Sequence, residues 1–236
     1  MNDRADPRDE PLTAAGKRYV VRDHVSVVLV LGLALGAAQT LGWYNAWLYA
    51  AVMLAVKAGS AAILVRADPA VLDARGTKHA MSTRERLFFL AYVPSALAMP
   101  FVAGLEAGRP GWSHHSTAEL AVGLTLAIGG ASFIVWALAH NAFFEPTVRL
   151  QRDRDHRVCT TGPYRLVRHP GYAGAVVGLF GVPLILGSRW AFVPAAIATV
   201  AFVVRTHYED RMLRAELDGY EGYAGRSRYR LVPFVW

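Results

Sequence analysis

The sequence predicts an all-α integral membrane protein of about six transmembrane helices, the last two forming a C-terminal helical hairpin. Three observations carry this. Of 236 residues, 54% are hydrophobic and only 18% are charged, and mean hydropathy is positive, unlike most soluble chains of this length. The apolar residues fall in runs close to the ~20 residues needed to cross a bilayer as a helix. The basic residues alternate between the connections. Lysine and arginine number five before residue 25, none in the first connection, five in the second, one in the third, six in the fourth, one in the fifth and six from Arg205 onward. That alternation is what the positive-inside rule expects of six spans with both termini in the cytoplasm.

Residues 1–24 read as a polar cytoplasmic tail. Val25–Gly42 is an uncharged apolar run, and Trp43-Tyr-Asn45 turns the chain into Ala46–Val65, a second run broken only by Lys57. Trp43, Tyr44 and Trp47 lie where an aromatic belt belongs. After the polar connection Arg66–Arg86, the third span, Leu87–Leu105, carries Pro94 and Pro100 and is expected to kink. Ala118–His140 is the fourth. Tyr172–Leu186 and Trp190–Thr206, parted by Gly187-Ser-Arg189, form the hairpin, and the charged tail beyond is rich in tyrosine. The chain thus divides into a tail (1–24), four N-terminal spans (25–140) and a C-terminal region (141–236).

Several function classes are excluded. The net charge of +7 does not point to nucleic acid, because a nucleic-acid surface has no reason to alternate its charge between connections. Cys159 is the single cysteine, which rules out an internal disulfide framework and a multi-cysteine metal site. His114-His115 has no neighbouring acidic or cysteine ligand, so these histidines read as solvated and no metal is expected. The first 24 residues hold four aspartates and one glutamate, which is not the composition of a cleavable signal peptide. No protein partner is indicated.

The stretch the chain is organised around is Gly162–Gly174, GPYRLVRHPGYAG. Pro163 and Pro170 each fix φ and withhold a backbone donor, and Gly162 and His169 before them are pushed toward extended conformations. Tyr164, Arg168, His169 and Tyr172 are thereby held on a stiff, non-helical backbone at the edge of an apolar region, which makes sense where it lines a polar cavity. Arg165 and Tyr164 taken singly suit an ordinary headgroup-facing loop equally well. Upstream, Thr147–Cys159 alternates weakly, and suits either a small hairpin across Asp153–Asp155 or an irregular basic loop on anionic headgroups. Downstream, Arg205 and Glu209 share a helix face, and a sixth span running on as a cytoplasmic helix places Glu209 about one turn past the membrane boundary. Alone, that pair is a plain i,i+4 ion pair.

Together these segments resemble the isoprenylcysteine carboxyl methyltransferase and phospholipid methyltransferase superfamily. Its pattern is GPYxxxRHPxYxG, a hairpin, an acidic pair usually written EE, a tyrosine pair and an R-x-x-P ending. Here the pattern reads Gly162–Gly174, the hairpin, Glu209-Asp210, Tyr220 with Tyr223, and Arg230-Leu-Val-Pro233, with Asn141-Ala-Phe-Phe144 upstream. Asp210 departs from the second glutamate, keeping the charge with a shorter reach. The resemblance implies a methyltransferase dependent on S-adenosylmethionine, with the cofactor held between the hairpin and the cytoplasmic segments. Tyr164, Arg168, His169, Pro170, Tyr172 and Gly174 would line that site from one side and Glu209 from the other. Arg168 and His169 would meet the cofactor carboxylate, and Glu209 its cationic groups or a ribose hydroxyl. Arg205 would partner a carboxylate acceptor, and the acceptor itself would be lipidic or a small hydrophobic molecule reaching the site from the bilayer. Sterol and steroid reductases, which bind NADPH, share an RHPxY-like stretch, and a non-catalytic membrane scaffold would keep the same fold. GPYR ahead of RHPGY and the acidic pair favour the methyltransferase.

The charge alternation makes a direct prediction. A reporter fused after Trp236 is expected to be active on the cytoplasmic side, and a periplasmic or lumenal signal would contradict the six-span count.

Overall fold

The computed structural model describes residues 11–77, 79–111 and 116–236; His114 and His115 lie outside the described residues. It is all-helical, with eight α-helices and no strand among the described residues: α1 (Ala14–Ala38), α2 (Tyr44–Ala67), α3 (Pro69–Gly76), α4 (Thr83–Ala107), α5 (Thr117–His140), α6 (Pro170–Leu186), α7 (Phe192–Glu216) and α8 (Tyr220–Arg226). Four of them, α1, α2, α4 and α5, are long and apolar enough to cross a membrane. The predicted fifth and sixth spans are α6 and α7. At 17 residues, α6 reaches about 25 Å, short of the ~30 Å hydrocarbon core. The uncharged part of α7 ends at Val204, and the helix then continues without interruption through Arg205, Glu209 and Asp210 to Glu216. The six-span count therefore rests on four full-length helices and a shorter hairpin.

Two local readings are corrected, and one left open is decided. The predicted tail is helical from Ala14, because Thr13 caps the helix by accepting from the amides of Ala15 and Gly16. Asp73 of α3 accepts from the amides of Thr13 and Gly16 as well. The short helix α3 sits inside the connection read as a polar loop; it is started by Asp68, whose side chain accepts from Ala70 N, with Pro69 at the first helical position. This is a favoured N-terminal pairing. Finally, Thr147–Cys159 forms no hairpin. It is irregular, with one 3-10 turn at Arg152–Arg154 and Asp155 in the left-handed conformation. Pro94 and Pro100 lie within α4, which is helical throughout.

Close packing of α5 on α6 holds the C-terminal region together, and it depends on glycine. A β-carbon on Gly130 would lie 2.4 Å from the Gly174 carbonyl oxygen, and one on Gly174 would lie 2.5 Å from the Gly130 carbonyl oxygen. Gly123 and Gly181 approach each other's helix backbones in the same way. Small residues at such crossings let helix backbones come within van der Waals contact in lipid, where no hydrophobic effect drives association.

Gly174→Ala is accordingly expected to destabilise the protein by about 1–3 kcal/mol through overpacking. Gly178→Ala, where a β-carbon meets nothing within 4 Å, is expected to leave the melting temperature in detergent unchanged or slightly raised. Equal melting of the two variants would refute the assignment.

Candidate functional site

Gly162–Gly174 is built as a turn, a short extended segment and a helix start. Residues Gly162–Arg165 form a 3-10 turn. Gly162 is left-handed rather than extended, at φ 55°, and a β-carbon there would meet the His140 ring at 2.5 Å, so only glycine suits the position. Arg168 N and His169 N donate to the carbonyls of Tyr229 and Arg230, which straps the stretch to the C-terminal segment. Pro170 then opens α6 at its first position, where its missing donor costs nothing.

Behind this wall lies a buried carboxylate. Asp210 is 0% exposed. It accepts from Arg168 Nε at 2.6 Å and Nη2 at 3.1 Å, from Arg230 Nε at 2.9 Å, from Arg214 Nε at 3.3 Å and from the Tyr220 hydroxyl at 3.1 Å. His169 Nε2 lies 3.4 Å from it. Burial alone would push this carboxyl up, but bonds from His169, Arg168 and Arg230 overcome that and hold it well below the usual carboxylate range. The remaining Arg168 donor, Nη1, goes to the carbonyls of Ser227 and Arg228. Burial also pushes the hydroxyls of Tyr220 and Tyr164 well up, and that of Tyr223 up to about 12. All three tyrosines therefore stay neutral. Tyr223 donates to the Tyr164 carbonyl at 2.7 Å, and the Tyr164 hydroxyl accepts from Asn141 Nδ2 at 3.0 Å.

In front of the wall is a narrow cleft of about 70 Å³, lined among others by Tyr164, Arg168, His169, Pro170, Tyr172 and Glu209. Two predicted site residues are engaged differently from the expectation. Gly174 faces α5 in the glycine seam and does not line the cleft; its small size serves helix packing. Arg168 borders the cleft, but its guanidinium is committed to Asp210 and to two backbone carbonyls, so it acts on the site through Asp210 rather than by meeting a ligand carboxylate. The opposite side of the cleft is the segment 143–158. It is held by Glu145, which pairs with Arg149 at 3.2 Å and Arg154 at 3.1 Å, and by Val148 N donating to Glu85 Oε1 at 2.6 Å. Two residues there escaped the sequence reading. His156 stacks on Phe143 with ring centroids 4.5 Å apart, and burial lowers its pKa. Thr147 lines the cleft, and its hydroxyl oxygen is buried without a hydrogen-bond partner.

Glu209 joins this cleft to a second space. The Tyr172 hydroxyl donates to Glu209 Oε2 at 2.5 Å and accepts from Arg205 Nε at 2.8 Å. Arg205 lies over the Phe88 ring at 4.4 Å and faces away from the cleft, into a groove of about 900 Å³ between α4 and α7. That groove is lined mostly by apolar side chains such as Leu87, Phe88, Ile197 and Val200, and Glu209 lines it too.

Residues 118–217 match the phospholipid methyltransferase family, which agrees with the resemblance the motifs carry. More particularly, the chain is similar to a probable protein-S-isoprenylcysteine O-methyltransferase of Oryza sativa subsp. indica, 32% identical over 101 residues, covering 39% of this chain and 49% of the relative. It is also similar to protein-S-isoprenylcysteine O-methyltransferase B of Arabidopsis thaliana, 29% identical over 94 residues, covering 39% and 47%. The chain spans about half the length of the curated relatives it matches.

The Asp210 cluster carries its own prediction. Asp210→Asn leaves the buried Arg168 guanidinium, and the partly exposed Arg230 and Arg214, without their counter-charge and is expected to cost about 3–5 kcal/mol. Because the native pKa of Asp210 is depressed, its contribution is present in full above the unfolded value near ~4 and is lost as pH falls toward the lower native value. In denaturant titrations the gap between wild type and Asp210→Asn should therefore be constant above about pH 5 and shrink below about pH 4. A gap independent of pH would show that the cluster does not depend on the carboxylate charge.

Proposed function

We propose that this chain is a membrane methyltransferase that uses S-adenosylmethionine to methylate a lipidic or small hydrophobic acceptor, most simply a carboxylate of the isoprenylcysteine type. The observation that carries this reading is the position of Glu209, on the wall shared by a polar cleft and an apolar groove facing the bilayer. A reaction between a water-soluble donor and a lipid-soluble acceptor needs such a wall.

The residues present suit the cofactor. Only Glu209 Oε2 is engaged, by Tyr172, so Oε1 is available to a cationic group or a ribose hydroxyl. The unpartnered Thr147 hydroxyl offers a further polar contact where a buried group without a bond calls for one. His169 and Tyr172 stack with ring centroids 5.8 Å apart, and together with Tyr164 they form an aromatic wall that keeps water from the reacting atoms. Pro170 fixes the backbone of that wall. When bound, S-adenosylmethionine supplies a methyl group on a sulfonium for in-line transfer to the acceptor. The chain's own task is then alignment and exclusion of water. A carboxylate acceptor needs no base, and the Arg205 Nη1, which has no hydrogen bond among the described residues, is placed to hold it from the groove side. Arg205 also steadies Glu209 through the Tyr172 hydroxyl.

The cleft is tighter than the ~300–1,000 Å³ usual for cofactor sites, so the segment 143–158 has to move outward to admit the ligand. Cytoplasmic placement of cleft and termini follows from the basic connections and belongs to the same proposal.

Radiolabelled S-adenosylmethionine is expected to bind saturably to the detergent-purified protein and to be displaced by S-adenosylhomocysteine. Glu209→Gln should weaken binding by about 10-fold or more through loss of a charge-assisted contact worth about 1.5–3 kcal/mol. No binding by a folded wild type, or binding of NADPH in its place, would overturn the reading. For methylation of an S-farnesylcysteine carboxylate, Arg205→Ala is expected to raise KM and lower kcat together. Unchanged values of both would remove Arg205 from the acceptor site.

A further inference from the structure

A separate groove of about 440 Å³ runs between α1 and α2, far from the cleft in sequence, and is lined by Leu12, Lys17, Val20, Val21, Ala61, Ala62, Val65 and Arg66. Its composition is sharply divided. Lys17, in the first turn of α1, and Arg66, in the last turn of α2, supply two positive charges, the other lining residues are apolar, and no carboxylate lines it among the described residues. A short connection makes α1 and α2 antiparallel, so both cations sit at the same end of the helix pair. Both are exposed. Arg66 bonds only the Ala62 carbonyl, at 3.3 Å, and neither cation forms an ion pair within the described residues.

Deeper in the membrane, Lys57 of α2 donates to Asp23 of α1 at 2.5 Å, tying the two helices together below the groove. Such a pair is strong in a low-dielectric setting, and it fixes the spacing of the groove walls.

We propose that the α1–α2 groove is a binding site for an anionic phospholipid. The headgroup phosphate sits between Lys17 and Arg66, and one acyl chain lies along Val20, Val21, Ala61, Ala62 and Val65. Charge complementarity at headgroup level and apolar walls below it match this one ligand class, as basic pockets between transmembrane helices do generally. A zwitterionic lipid satisfies the apolar half of the site but brings no net charge to its two cations.

Native mass spectrometry of the full chain in detergent tests this, with palmitoyl-oleoyl phosphatidylglycerol compared against phosphatidylcholine of the same chains. One phosphatidylglycerol per chain is expected to bind about tenfold or more tighter than phosphatidylcholine. Lys17→Ala/Arg66→Ala should abolish that preference and Lys17→Arg/Arg66→Lys should keep it. The charge-matched control Arg165→Ala/Arg226→Ala, two exposed arginines elsewhere, should leave it unchanged. Equal binding of the two lipids, or an equal loss in the control, would overturn the site in favour of diffuse attraction to basic surface. Coincident thermal melts of all variants in phosphatidylcholine micelles establish that they fold.

Discussion

Everything in the C-terminal region converges on one carboxylate without water. A buried charge is tolerable only when paired and hydrogen-bonded, and Asp210 meets that condition by drawing in Arg168 from the stretch before α6, Arg214 from its own helix, Tyr220 from α8 and Arg230 from the C-terminal segment. Three separate pieces of chain are thereby fixed relative to α7. The strap from Arg168 and His169 to Tyr229 and Arg230 follows from this anchoring, and it sets the orientation of the His169 and Tyr172 rings that face the cleft. Glu209 is the residue that faces the cleft, but the shape of the cleft belongs to the residue beside it.

The two halves of the molecule are stabilised by different physics. Around α5 and α6 the close approach of backbones at Gly130 and Gly174 lets dispersion and weak polar contacts accumulate. Beyond it the contacts are ionic around Asp210, while Phe88, Tyr92 and Phe202 pack edge to face and stacked between α4 and α7. The cleft lies on the ionic side and the groove on the apolar side, and α7 lines both.

Much of this was legible in the sequence because it rests on local signals. Apolar run length gave the four long spans, the Gly-Ser-Arg interruption gave the hairpin turn, and the i,i+4 spacing of Arg205 and Glu209 put both on the α7 face that borders the groove. The role of Asp210 was not legible. Its partners Arg168, His169 and Arg230 lie 42, 41 and 20 residues away, so beside Glu209 it read only as a shortened acidic neighbour. The engagement of Arg168 was hidden for the same reason, since a basic residue in a sequence motif gives no sign that its donors are already bonded to distant groups. Gly174 looked like part of a binding loop because its partner, Gly130, sits on another helix and shows its meaning only in register with it. The helix α3 did have a signal, Asp68 before Pro69, within a stretch too short and polar for periodicity to reveal. His156 and Thr147 lie on irregular backbone, where no period assigns a side chain to any face.

The shared wall at Glu209 bears on the order of events in catalysis. If donor and acceptor reach that wall from opposite phases, one through water and the other through lipid, neither stands in the other's path. Substrates can then be taken up in either sequence, and the two products can depart independently into the phases that brought their precursors. Turnover in such a site depends on two concentrations that do not mix, the soluble donor in the cytoplasm and the acceptor's mole fraction in the bilayer. The effective acceptor concentration is therefore set by the membrane, whatever the volume of the surrounding solution.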